Sequence, residues 1–290
     1  MEQPRRVAAY FDLDKTLLST STTMALSTPM RRHGIISAVT LIRGVVTQLP
    51  YLLAGADEEQ TTRMMTRLAA MSAGVERERV LEVVREALPT SIEPAFYAEA
   101  LEIVTGHHRA GHDVVVVSAS IEEMVEPVAR LVGADRCVAT RMEAQDGVYT
   151  GRIERSLLHA EKVVALREDA ERHGIDLSRS WAYSDSISDL PMLEAVGHPV
   201  ATNPDRELRA AAAERGWPVR DFVRPTSRRR LPRPHLSAPS LPTVSWPAVS
   251  LPTSSALPVI PKAIGAAAVG AVVLAGAAAA GYLLTRPPRA

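Results

Sequence analysis

AAYFDLDKTLLST, residues 8–20, sets an apolar run against two aspartates. The run ends at Phe11, and Asp12 and Asp14 follow, one residue apart. Like charges at the end of a buried strand repel each other and resist burial unless something neutralises them. The stretch therefore predicts a strand over Val7–Phe11 and, just beyond it, a site that gathers positive charge.

The same pattern recurs downstream. Val114–Val117 is a four-valine run that reads as a buried parallel strand and is followed by Ser118. Trp181–Ser184 is a third strand, followed by Asp185. Between them, residues 20 to about 105 are helical in pattern, with apolar spacing over 62–71 and 78–88. Asp146-Gly147 marks a hairpin between short strands. A helix over His159–His173, a helix over Ser188–Val196 and a short strand over Pro199–Thr202 complete the globular part, residues 1–224. Strands alternating with helices predict an α/β domain with a mostly parallel sheet. Ligands then bind at the carboxyl ends of the strands.

Composition narrows the function classes. Formal net charge is zero, which argues against nucleic-acid binding. Of 33 basic residues only Lys15, Lys162 and Lys262 are lysines, so each lysine asks for a reason. Cys137 is the single cysteine, so no disulfide framework or cysteine metal site is available within one chain. The first residues, MEQPRRVAAYFDLD, lack the apolar core of a signal peptide.

If the three strands are parallel neighbours, Asp12, Asp14, Ser118 and Asp185 converge on one sheet edge. Lys162, early in its helix, and Asp189, at the start of the next, can reach the same edge. Oxygen donors without a His or Cys cluster favour Mg²⁺, which also binds phosphate. Each residue alone also fits a turn, a helix cap or a solvated charge. His107, His108 and His112 cluster near a loop, with no further metal ligand placed by the sequence.

FDLDKTL (11–17), VVVVSAS (114–120), Lys162 in HAEKVVAL and YSDSISDLPML (183–193) resemble the four motifs of the haloacid dehalogenase superfamily of phosphohydrolases. Their order and spacing resemble the branch that contains phosphoserine phosphatase. Lys15 stands where many relatives carry Gly. The resemblance covers about residues 5–222 and implies a Rossmann-like parallel sheet core with a helical cap over about 19–105, inserted after the first strand.

It further implies that Asp12 is the nucleophile, forming an aspartyl-phosphate, and that Asp14 is the general acid and base. Mg²⁺ is then held by Asp12, the Asp14 carbonyl and Asp185. Ser118, Ala119, Lys162 and Ser188 bind substrate, Ser118 and Lys162 at the phosphoryl group, and Asp189 orients Lys162 or metal-bound water. Two positions depart from the branch: Ser188 stands where phosphoserine phosphatases commonly carry Asn and can still hydrogen-bond, and the other is in the cap. Phosphoserine phosphatases use a cap Glu for the substrate's amino group, and Ser21 stands there. Arg63 and Arg67 are candidates for a carboxylate-binding cap arginine.

Two further segments carry expectations. Residues 225–262 hold nine prolines and read as a semi-rigid linker. Residues 264–284, IGAAAVGAVVLAGAAAAGYLL, are 21 residues without a charge, long enough to span a bilayer. This predicts a transmembrane helix over 263–285, a tail over 286–290, and a single-pass cell-membrane protein with a cytoplasmic catalytic domain. The alternative is a buried Ala-rich helix. Gly276/Ala280 and Ala277/Gly281 have the spacing of pairing helices, which leaves dimerisation open. Residues 35–54 are largely apolar but contain Arg43, Gln48 and Pro50, and read as a cap helix or as a surface for lipid or an apolar substrate. Expected partners are a small phosphorylated metabolite or a phospholipid, and the membrane. The rival of another class is a membrane-tethered scaffold that keeps the fold as a binding module.

Overall fold

The structure, a computed structural model, describes residues 6–35, 58–158 and 160–223. Its strands are β1 (Ala8–Phe11), β2 (Asp113–Ile121), β3 (Arg136–Gln145), β4 (Val148–Arg155), β5 (Trp181–Ser184), β6 (His198–Thr202) and β7 (Val219–Arg220). They form one sheet in the order β4-β3-β2-β1-β5-β6-β7, parallel except for β4. The chain builds outward from β1 in both directions. The carboxyl end of β1 is therefore a topological switch point, where α/β sheets bind ligands.

Both faces of the central strands are covered, which is why AAYF and VVVV show no polar alternation. Ala9, Phe11, Val114 and Val116 belong to one apolar cluster, with Met30, Val80 and Val84 of the helical insertion. Ala8, Tyr10, Val115 and Val117 belong to the other, with Leu166, Leu193 and Leu208. Among the described residues the insertion supplies α1 (Thr22–Arg32), α2 (Glu58–Ala70) and α3 (Arg77–Ala87). The next helix, α4 (Ala98–Arg109), lies against β2 instead. The apolar run over 35–54 falls, apart from Ile35, outside the described residues.

The hairpin joins the insertion to the sheet. Asp146 and Gly147 have φ of 51° and 79°, the pair of positive values that a two-residue type I′ turn demands. Its strands, of 10 and 8 residues, are longer than the sequence suggested. Gly74 donates to the Tyr149 carbonyl and Tyr149 donates back to Val75, both at 2.9 Å. Arg77 Nε lies 2.5 Å from Glu123 Oε1 of α5 (Glu122–Leu131).

On the other side of the sheet, α6 (Ala160–His173), α7 (Leu190–Glu194) and α8 (Arg206–Arg215) follow in order. The helix expected over Ser188–Val196 is a 3₁₀ turn, Ile187–Asp189, leading into the five-residue α7. Asp189 is held back toward Lys162 and Ser184, which tightens that first turn. At Gly197 a β-carbon would stand 1.7 Å from the Ser178 carbonyl oxygen. Relief requires backbone movement, so Gly197→Ala should destabilise the fold by about 3 kcal/mol or slightly less, read as a fall in urea midpoint.

Among the described residues no helix is long and apolar enough to cross a membrane. The linker 225–262, the uncharged segment 264–284 and the tail lie outside them.

Candidate active site

β1 lies between β2 and β5, and all three run parallel. Asp12 and Asp14 leave the end of β1, Ser118 lies in the carboxyl-terminal half of β2, and Asp185 follows β5. The edge is drawn tight by the Asp12 backbone N–H, which donates to the Tyr183 carbonyl at 2.9 Å. Beneath it Phe11 stacks on Tyr183, with ring centroids 4.4 Å apart.

Lys162 is the centre of the arrangement. Its buried Nζ donates to Asp12 Oδ1 at 2.6 Å and to Asp189 Oδ2 at 2.7 Å. Ser184 Oγ donates to the same Asp189 oxygen at 2.6 Å. Asp189 thus aims the lysine, and the lysine aims Asp12. Asp14 accepts from Thr22 N at 2.7 Å, Thr22 Oγ1 at 2.5 Å and Ser120 Oγ at 3.3 Å.

The electrostatics follow from burial. Burial raises the Asp12 pKa, and the Asp189 and Asp14 charges add to it against the attraction of Lys162. Burial also raises Asp14, opposed by its bonds to Thr22. Asp185 is raised by burial and by Asp12 and Asp189, with Lys15 and Lys162 opposing. Burial acts against the Lys162 charge, but Asp12 and Asp189 outweigh it and its pKa rises. Burial is the leading cause at all three carboxylates, so holding them ionised together leaves an excess of buried negative charge for a cation to balance.

That excess, and a donor set made only of oxygens, fit a hard cation such as Mg²⁺. Among the described residues no three acidic, His or Cys side chains close into a metal cage. Mg²⁺ commonly uses one or two carboxylates and completes its shell with water and substrate phosphate, so it does not require such a cage.

Ser118 is buried, and its Oγ accepts from Ser120 N at 3.1 Å. Ala119 is half-buried beside it. Ser188 is exposed, with its Oγ 3.0 Å from Ser186 Oγ. Ser21 is the N-cap of α1, and its side chain accepts from Met24 N. Arg63 and Arg67 are exposed on α2. His107 packs among Phe11, Trp181 and Tyr183, and burial pushes its pKa down to about 4, so it stays neutral.

Other residues of the site escaped the sequence reading. Thr22 and Ser120 hold Asp14, and Ser184 holds Asp189. Asp205 shapes the loop after β5: its N–H donates to the Asp185 carbonyl at 2.7 Å and its carboxylate accepts from Ile187 N at 2.9 Å. Asn203 Nδ2 donates to the Lys15 carbonyl at 3.4 Å. Ser120 was within reach, since it lies two residues beyond Ser118. Lys15 has φ 62°, the left-handed region, which gives a physical reason for glycine at this position in the resembling family.

Known proteins similar to this chain include several named as phosphatases. A Mycobacterium tuberculosis protein named a probable phosphatase is 46% identical over 230 residues, covering 79% of this chain and 80% of that protein. A second M. tuberculosis protein, named a phosphoserine phosphatase, is 34% identical over 221 residues, covering 74% and 70% of the two chains. A Neisseria meningitidis protein named a histidinol-phosphatase is 32% identical over 220 residues, covering 74% and 98%. Residues 9–194, which include Asp12, Asp14, Ser118, Lys162, Asp185 and Asp189, match the haloacid dehalogenase-like hydrolases, and the chain belongs to that family.

Proposed function

We propose that this hydrolase is a Mg²⁺-dependent phosphomonoesterase that works through an aspartyl-phosphate on Asp12. The observation that carries the reading is Lys162, buried and hydrogen-bonded to both Asp12 and Asp189 at the edge where Asp14 also ends. Asp12 Oδ1 is fixed by the lysine, which leaves the other carboxylate oxygen to attack phosphorus. Covalent transfer splits hydrolysis into two easier steps. Asp14 gives its proton to the departing oxygen and then takes one from the attacking water. Lys162 and Ser118 supply hydrogen bonds to phosphoryl oxygens, where charge accumulates. Mg²⁺, when bound by Asp12, Asp185 and the Asp14 carbonyl, neutralises phosphoryl charge.

The substrate is read as a small phosphorylated metabolite, phosphoserine phosphatase-like in its reaction. Ser21 is spent on capping α1 and offers no carboxylate to an ammonium group. Two relatives of similar identity carry names for different phosphate esters, so likeness alone selects neither. A second reading, a phospholipid or lipid-headgroup phosphate, is favoured by the uncharged segment 264–284. A Mg²⁺-supplemented phosphate-release screen of phosphoserine, histidinol phosphate, lysophosphatidic acid and phosphatidylglycerol phosphate tests both. Release from at least one, lost with EDTA, supports the phosphatase. No release from any favours a tethered binding module.

The same segment is read as a single-pass anchor that leaves the catalytic domain in the cytoplasm. The full chain should sediment with membranes. A chain ending at Pro225 should stay in the supernatant with its phosphatase activity retained. A full-length chain in the supernatant contradicts the anchor.

A further inference from the structure

Taking Asp14 as the proton donor, as read above, we propose that Thr22 and Ser120 are its positioning residues. Departure of the leaving group then depends on a residue of the cap. Thr22 is completely buried and opens α1. The Ser21 side chain satisfies Met24 N, so Thr22 N, one of the helix's orphan donors, is available to Asp14. A helix amino terminus also favours the carboxylate electrostatically. Ser120 comes from the opposite side, at the end of β2, where the pairing with β3 shifts register between Ser118 and Ile121. Asp14 is thus gripped by two elements that meet only in the folded, capped domain.

The grip is asymmetric. Oδ1 takes two short bonds from Thr22, at 2.7 and 2.5 Å, whereas Oδ2 takes one longer bond from Ser120, at 3.3 Å. A backbone N–H can only donate, so Thr22 keeps Oδ1 as the unprotonated oxygen. A serine hydroxyl can donate or accept, so Ser120 accommodates Oδ2 with or without its proton. Oδ2 is therefore the oxygen that carries the proton to the leaving group. No bond is made or broken by Thr22 or Ser120 themselves.

A series of substituted phenyl phosphates, from nitrophenyl to methoxyphenyl, provides the test. The readout is the slope of log kcat/KM against leaving-group pKa, with Asp14→Asn as reference. Good leaving groups need no acid and poor ones do. Asp14→Asn should steepen the slope, because a positioned acid is worth about 10²–10⁴-fold. Thr22→Val should steepen it part of the way, losing about tenfold on methoxyphenyl phosphate and less than about twofold on nitrophenyl phosphate. Ser120→Ala should move it in the same direction, and Thr22→Ser should restore it. Circular dichroism checks folding, and Ser120→Ala carries the test if Thr22→Val does not fold. If Asp14→Asn steepens the slope while the folded Thr22 and Ser120 variants keep the parent slope, the positioning role is overturned. If Asp14→Asn leaves the slope unchanged, Asp14 is not the acid, and the reading of the site fails first.

Discussion

Asp12→Asn is expected to remove Mg²⁺-dependent phosphate release by more than about 10³-fold, because losing even one stabilising donor typically costs 10²–10³ and this change removes the nucleophile itself. The protein should still fold. Asparagine keeps the shape of the side chain and can accept from Lys162, which retains Asp189 at 2.7 Å. Burial already makes the charged form of Asp12 costly, so a neutral side chain suits the position. Steady-state release of phosphate from nitrophenyl phosphate, alongside a urea melt, separates the two effects. A folded variant with more than about one tenth of parent activity would be incompatible with nucleophilic attack by Asp12, given those magnitudes.

Lys162→Met is expected to damage stability as well as activity. The lysine is the cation placed between Asp12 and Asp189, both buried. Removing one partner of a buried ion pair costs about 3–5 kcal/mol. The pH dependence gives the sign. In metal-free protein, burial, with the neighbouring carboxylates, already lifts Asp12 from its usual value to about 7 against the pull of Lys162. Deleting the lysine lifts it further. Between the unfolded value of about 3.9 and the raised folded value, the native state binds more protons than the unfolded state. Stability therefore falls as pH rises through that window. The Lys162→Met deficit, measured by urea denaturation in EDTA, should be larger at pH 8 than at pH 5 on this linkage argument, with both pH values about two units or less from the folded Asp12 transition. A deficit that shrinks as pH rises would show that Lys162 does not neutralise these carboxylates.

Much of this site was legible before the structure, for identifiable reasons. Asp12, Ser118 and Asp185 each follow an apolar run, and a parallel sheet brings such ends together. Lys162 stood out because lysine is scarce in an arginine-rich chain. What escaped were the residues that act through another side chain. Thr22 belongs to the cap, and nothing in its local sequence says that its N–H turns toward Asp14. Asp205 is the N-cap of α8, through its bond from Leu208 N at 2.7 Å. Its second role, fixing the Asp185 loop, depends on β6 lying beside β5. Ser188 fits its motif by spacing, and its exposed hydroxyl lies 3.0 Å from that of Ser186.

The fold shows the same division. Strands buried on both faces announce themselves as apolar runs, and the Asp146-Gly147 turn announces the hairpin. The hairpin's length and its bonds to residues 74–77 do not, because they depend on where the cap comes to rest. Helix α4 likewise reads as one more amphipathic helix of the insertion. Only its packing, with His107 against Phe11 and Tyr183, assigns it to the sheet.

The most direct test of the account is to trap the phosphorylated enzyme. Protein is mixed with a ³²P-labelled phosphomonoester and Mg²⁺, quenched in acid within milliseconds, and digested with trypsin. The account predicts label on the peptide VAAYFDLDK, residues 7–15, at Asp12, removed by hydroxylamine and absent from Asp12→Asn. Phosphate release without label on that peptide, or label at any other residue, would contradict it.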